Sequence, residues 1–175
     1  MAKKTWAITW RFLAIFLVPA VIVVGILKHY QEPRPVQIGQ DAPVFSLPTI
    51  SGKLFTLASH PKKYVLINFF TTWCPPCQEE APDFARFINA YGKQVQIIMI
   101  DRGEGQGIVS SFVQHYKLQR VIVVLDANDT MAAPYGITGQ PETFGISKNG
   151  IVEFHIVGPM NYVQLVQGLA YLKQH

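Results

Sequence analysis

The chain has 175 residues, 49% of them hydrophobic, with 15 basic and 11 acidic side chains. That length gives one ordinary domain plus a short extra segment. The net charge of +4 lies wholly in the first thirty residues, and residues 31–175 balance at eleven of each sign, which excludes a basic nucleic-acid surface.

The extra segment comes first. Residues 12–27 carry no charge and follow Lys3, Lys4 and Arg11. At about 1.5 Å per residue the run spans roughly 24 Å, a little short of a ~30 Å hydrocarbon layer. Trp6, Trp10 and Tyr30 then fall near the two interfaces. No small-x-small cleavage site follows the run, and it is apolar on every face, so an uncleaved anchor is expected. The basic residues ahead of it put the N-terminus in the cytoplasm and the rest outside. Glu32-Pro33-Arg34-Pro35 reads as a stiff extended linker. The expected division is a stub and anchor at 1–30, a linker at 31–38 and a globular domain at 39–175.

Residues 44–47 and 53–57 bracket Pro48 and Gly52 as a hairpin. Residues 64–70 read as a buried central strand. Residues 75–91 form a helix whose apolar stripe is Cys77, Ala81, Phe84, Ile88 and Tyr91, with a kink expected at Pro82. Strands follow at 95–100 and 121–125, with a helix at 107–116 between them. Residues 129–135 read as a short helix, ended by Gly136 and made unusual by Pro134. Residues 143–147 and 151–157 form a hairpin around Asn149-Gly150. A closing helix runs over 161–173, capped by Asn161. The elements predict a mixed β-sheet with helices on both faces.

Cys74 and Cys77 are the only cysteines. A strand delivers the chain to Cys74, and Pro75 and Pro76 suit first helical positions, where an N–H has no partner. Unpaired N–H groups and the helix dipole favour a thiolate at Cys74. Cys77 lies about one turn on, placed to resolve a mixed disulfide. Zinc would need about four ligands, and the five histidines are scattered. Covalent haem would need a histidine where Gln78 stands. A peroxiredoxin pattern has Thr71 but Ile67 where its proline belongs. With this pair, the order of elements predicts a thioredoxin-like α/β fold.

Thr72-Trp73-Cys74-Pro75-Pro76-Cys77, followed by Glu80 and Pro82, resembles the membrane-anchored extracytoplasmic thioredoxins. Residues 135–144, with Gln140-Pro141-Glu142 at their centre, then Asn149-Gly150-Ile151-Val152 and Gly158, resemble thiol:disulfide interchange proteins of cytochrome c biogenesis. These are the DsbE/CcmG type, close to ResA and TlpA-like relatives. The resemblance runs from about Gly39 to the C-terminus.

It implies a cis peptide before Pro141, on a loop that faces the cysteines and pairs with the substrate chain near Gln140. It implies an acidic residue near the cysteines at Glu80, which also stands three residues after Cys77 on one helix. A partly buried carboxylate there raises the Cys77 pKa and can take its proton. Glu142 fits the same motif, in substrate contact or cysteine tuning, and Trp73 offers an apolar contact. The activity implied is thiol:disulfide oxidoreductase, acting reductively on the haem-binding Cys-x-x-Cys-His of apocytochrome c in the periplasm of a bacterial inner-membrane system. The alternatives are a TlpA-like reductant of oxidase copper-site cysteines and a scaffolding module. The implied partner is a membrane electron donor of the DsbD or CcdA type. No metal or nucleotide cofactor is expected beyond the cysteine pair, and the domain is expected to be monomeric. Gly103-Glu104-Gly105-Gln106-Gly107 resembles a phosphate loop only weakly, and reads as a strand-to-helix loop.

Overall fold

The computed structural model describes residues 34–58 and 62–175, together with Pro19, Val21 and Val23. The chain divides into two units, Met1–Arg34 and Pro35–His175. The three described positions of the expected anchor are helical and exposed; the rest of it, and linker residues 31–33, lie outside the described residues. Among the described residues no helix is long and apolar enough to cross a membrane.

The second unit opens with an antiparallel pair, β1 (Ser46–Pro48) and β2 (Leu54–Thr56). The main sheet holds β3 (Tyr64–Phe70), β4 (Val95–Arg102), β5 (Ile122–Asp126), β6 (Glu142–Ile146) and β7 (Val152–Val157). Its order is β5-β4-β3-β6-β7. The first three strands of that order are parallel, and β6 and β7 run antiparallel to their neighbours. Among the described residues four helices complete the unit: α1 (Pro75–Tyr91), α2 (Gln106–His115), α3 (Ala132–Tyr135) and α4 (Tyr162–Gln174). This is the expected thioredoxin-like arrangement.

Alternation along β3 decides what meets what. Leu66 and Phe70 point to the face covered by α1, α2 and α4, where Cys77, Phe84, Phe112 and Leu165 pack. Val65, Ile67 and Phe69 point to the other face, among Phe45, Tyr135 and Phe144. Asn68 has the parity of Leu66 and Phe70, so the one polar side chain of the strand faces α1. It is fully buried there.

Helix α1 runs through Pro82 over all seventeen of its residues. Helix α3 is shorter than expected. Asp126 accepts hydrogen bonds from the Thr130 hydroxyl and the Met131 N–H, which holds those residues in a turn before the helix. Gly136 ends α3 in the left-handed region, at φ 68°. Asn161 caps α4, and Gln164 completes a capping box. Strand β4 continues two residues past the expected Ile100, because Asp101 and Arg102 stay paired with Leu125 and Asp126 of β5.

Candidate active site

Cys74 is the N-cap of α1, and Pro75 and Pro76 fill the first helical positions. Both cysteines are free thiols. Cys77 is fully buried, and only 4% of Cys74 is exposed. Burial pushes the Cys77 thiol up, and so do its hydrogen bond with Cys74 and the neighbouring Cys74 and Glu80 charges; a backbone bond at Thr71 works in the other direction. The Gln140–Pro141 peptide is cis. The Gln140 carbonyl oxygen lies 3.6 Å from Cys74 Sγ, so the cysteine and the cis-proline loop form the two lips of one opening.

Glu80 sits behind the pair, 2% exposed. Its Oε1 accepts a bond from Asn68 Nδ2 at 2.8 Å, and its Oε2 accepts one from the Met160 N–H at 3.0 Å. Asn68 Nδ2 also donates to Thr143 Oγ1, its neighbour across the β3–β6 register. Burial pushes Glu80 up to about 7, against the pull of those two donors. Glu80 also lines a crevice of about 210 Å³, together with Glu79, Asp83, Pro159, Met160 and Asn161.

Two further groups hold the lips. On the cysteine side, both oxygens of Glu104 grip Thr72, one from its N–H at 2.5 Å and one from its hydroxyl at 2.6 Å. The Thr72 carbonyl accepts from Gln78 Nε2 at 2.8 Å. Glu104 is itself anchored, its N–H donating to Asp101 Oδ2. Asp101 is fully buried, and burial raises its carboxyl against the pull of the Glu104 N–H, with the Glu104 side chain and Asp126 adding to the rise. On the proline side, Arg102 donates through Nε and Nη2 to Asp129, and through Nη1 to the Gly139 carbonyl and Gln140 Oε1. Gly103, at φ 88°, makes the turn between these two arms.

The residues singled out in the sequence converge here in part. Cys74, Cys77, Glu80, Gln140 and Pro141 come together. Trp73 stands beside Cys74 at 66% exposure, an open apolar surface. Glu142 lies beneath the loop rather than at the opening, 1% exposed. Its Oε1 accepts from the Thr138 and Gly139 N–H groups and its Oε2 pairs with His155 Nε2 at 2.7 Å. Sequence reasoning missed Asn68, Thr143, Asp101, Arg102, Glu104 and Asp129. For Asn68, Asp101 and Arg102 the available signal was a polar side chain inside, or at the end of, an otherwise apolar strand; for Glu104 and Asp129, in the loops beyond β4 and β5, there was none.

Such a site can exchange a thiol pair for a disulfide, with a carboxylate beside the inner thiol able to hold a proton near neutral pH.

The chain matches the AhpC/TSA family over residues 38–155. It is 32% identical to the thiol-disulfide oxidoreductase ResA of Geobacillus thermodenitrificans over 173 residues, covering 98% of this chain and 99% of that protein. It is 30% identical to the sporulation thiol-disulfide oxidoreductase A of Bacillus subtilis, covering 90% and 96%. A secreted Mycobacterium tuberculosis disulfide oxidoreductase, described as homologous to Escherichia coli DsbE, superposes with a TM-score of 0.66 at 28% identity, covering 72% and 94%. With the cysteine pair at the head of α1 and relatives that span nearly its whole length, the chain belongs to the AhpC/TSA family of thioredoxin-like proteins and is a thiol-disulfide oxidoreductase.

Proposed function

We propose that the protein is a membrane-tethered extracytoplasmic reductant that opens the disulfide of apocytochrome c Cys-x-x-Cys-His motifs before haem attachment. The observation that carries the thiol exchange is the pairing of Cys74, at the head of α1, with the buried Cys77 and Glu80 behind it. The reductive direction rests on the resemblance to the DsbE/CcmG type described above. The tether rests on the apolar run at 12–27, and the client on the resemblance described above.

The cycle balances as follows. The Cys74 thiolate attacks one sulfur of the client disulfide; a Cys74–client bond forms and the client S–S bond breaks, releasing a client thiolate. Cys77 gives its proton to Glu80 and attacks Cys74 Sγ. The Cys74–Cys77 disulfide forms, and the second client thiolate leaves. The client gains two electrons and two protons. A membrane donor of the DsbD or CcdA type returns both to the pair, which is the only redox group the cycle uses.

The test is the reduction potential of the Cys74–Cys77 pair, measured against dithiothreitol buffers. A value near or below that of thioredoxin, about −270 mV, supports the reductant. A value near that of DsbA, about −120 mV, overturns it. The client is tested by deletion: loss of holocytochrome c, restored by an added small thiol, supports apocytochrome c, and normal holocytochrome c refutes it.

A further inference from the structure

Gly139 and Gln140 form the lip opposite Cys74, and glycine is the residue least able to hold a conformation by itself. In this protein it is pinned at both of its peptide groups. Its N–H donates to buried Glu142 at 2.9 Å, and its carbonyl accepts from Arg102 Nη1 at 3.1 Å. The same Arg102 nitrogen holds Gln140 Oε1 at 2.9 Å. The other end of the Gln140 amide reaches Thr71 Oγ1 at 3.4 Å. Arg102 is fixed in turn by a two-pronged bond to Asp129, at 2.9 and 2.6 Å.

A guanidinium suits this position for a geometric reason. Its planar fork spends two nitrogens on one carboxylate and keeps the third for two carbonyl-type oxygens. An ammonium carries the same charge but cannot span both sets. The guanidinium does not touch the sulfurs. It acts on the opening through residues 139 and 140, and the carbonyl of Gln140 lies 3.6 Å from Cys74 Sγ. A chain joined to that sulfur therefore starts beside Gln140.

We propose that Arg102 is a positioning residue that sets the client-facing lip of the site, and so governs reaction with polypeptide disulfides more than with small ones. A peptide lies along the lip and needs its geometry. A small aromatic disulfide meets chiefly the sulfur.

The test compares two second-order rates for the reduced full-length protein. One is with a short synthetic peptide closed by an internal disulfide, the other with Ellman's reagent. In Arg102→Met the peptide-to-reagent ratio falls about tenfold, the scale of one lost charge-assisted hydrogen bond. Arg102→Lys shows nearly the same fall, because charge without the fork does not suffice. Asp129→Asn releases the fork from its more exposed end and lowers the ratio in the same direction, by about threefold. The reduction potential stays at the parent value in all three. Three results overturn the proposal: an unchanged ratio in Arg102→Met, full recovery in Arg102→Lys, or a shifted potential with both rates falling in step. Thermal melting of each variant separates loss of fold from loss of the lip. If Arg102→Met does not fold, the Asp129→Asn ratio decides.

Discussion

Glu80→Gln tests the electrostatics of the site through stability alone. In the folded protein burial holds the Glu80 carboxyl at about 7, against 4.5 for an ordinary glutamate. Between those values the native state keeps a proton that the unfolded chain has released. The stabilisation from this group is therefore fully present below about pH 4.5 and is lost as the pH rises through about 7. At about 1.4 kcal/mol per pH unit, the gap between the two values is worth about 3 kcal/mol. Glutamine fits the site after one adjustment. Asn68 Oδ1 is buried and has no hydrogen-bond partner among the described residues. A flip of the Asn68 amide would offer that oxygen to the amide of the introduced glutamine and to the Thr143 hydroxyl, while Met160 N–H keeps its acceptor. The assay is urea denaturation of the reduced parent and variant from pH 4 to 8.5. The expected result is a difference in unfolding free energy that moves by about 3 kcal/mol in favour of the variant as the pH rises. Asp101 and the other titrating groups are common to both proteins and cancel. A difference constant within about 0.5 kcal/mol over that range would refute the argument that burial raises the Glu80 carboxyl to about 7.

Cys77→Ser accumulates a Cys74–client mixed disulfide that survives non-reducing electrophoresis and dissolves with dithiothreitol, whereas Cys74→Ser forms none; the reverse pattern would make Cys77 the attacking thiol. Glu104→Ala removes both acceptors from Thr72 and lowers stability by about 2 kcal/mol in urea, with a slower second-order rate toward Ellman's reagent as the Cys74 loop loosens; a silent variant would show that the grip on Thr72 is incidental. Gly145→Ala places a Cβ 2.1 Å from the Phe154 ring and costs about 1–3 kcal/mol, read as a lower melting temperature. An unchanged melting temperature would mean that the ring swings away freely.

The elements were legible because their chemistry is local. A nearly unbroken apolar run specifies β3, the proline pair places the start of α1, and Asn149-Gly150 announces the β6–β7 turn. The cysteines and the cis-proline were legible because both carry their chemistry in a short motif. The clamps were not. Arg102 reaches Gly139 and Gln140 across 37 and 38 residues, and Glu104 reaches Thr72 across 32. Such bonds follow from which strands lie side by side, which no local pattern encodes. The segment around Gly103 looked like a plain connection because its role depends on two loops distant in sequence. Glu142 shows the converse. Its motif was visible, but burial under Thr138 and Gly139 turns its oxygens away from the opening and into the support of the loop. Asn68 was missed, although it is a polar member of an apolar strand, because only its partner in the fold, Glu80, gives it a role.

The crevice lined by Glu80 opens among Glu79, Asp83 and Asn161, a different set of residues from Trp73 and Gln140 beside Cys74. If the Glu80 proton leaves through that crevice, a client can cover the cysteine mouth without trapping it. A bulky residue at the crevice rim would then slow resolution by Cys77 while leaving the first attack on the client untouched.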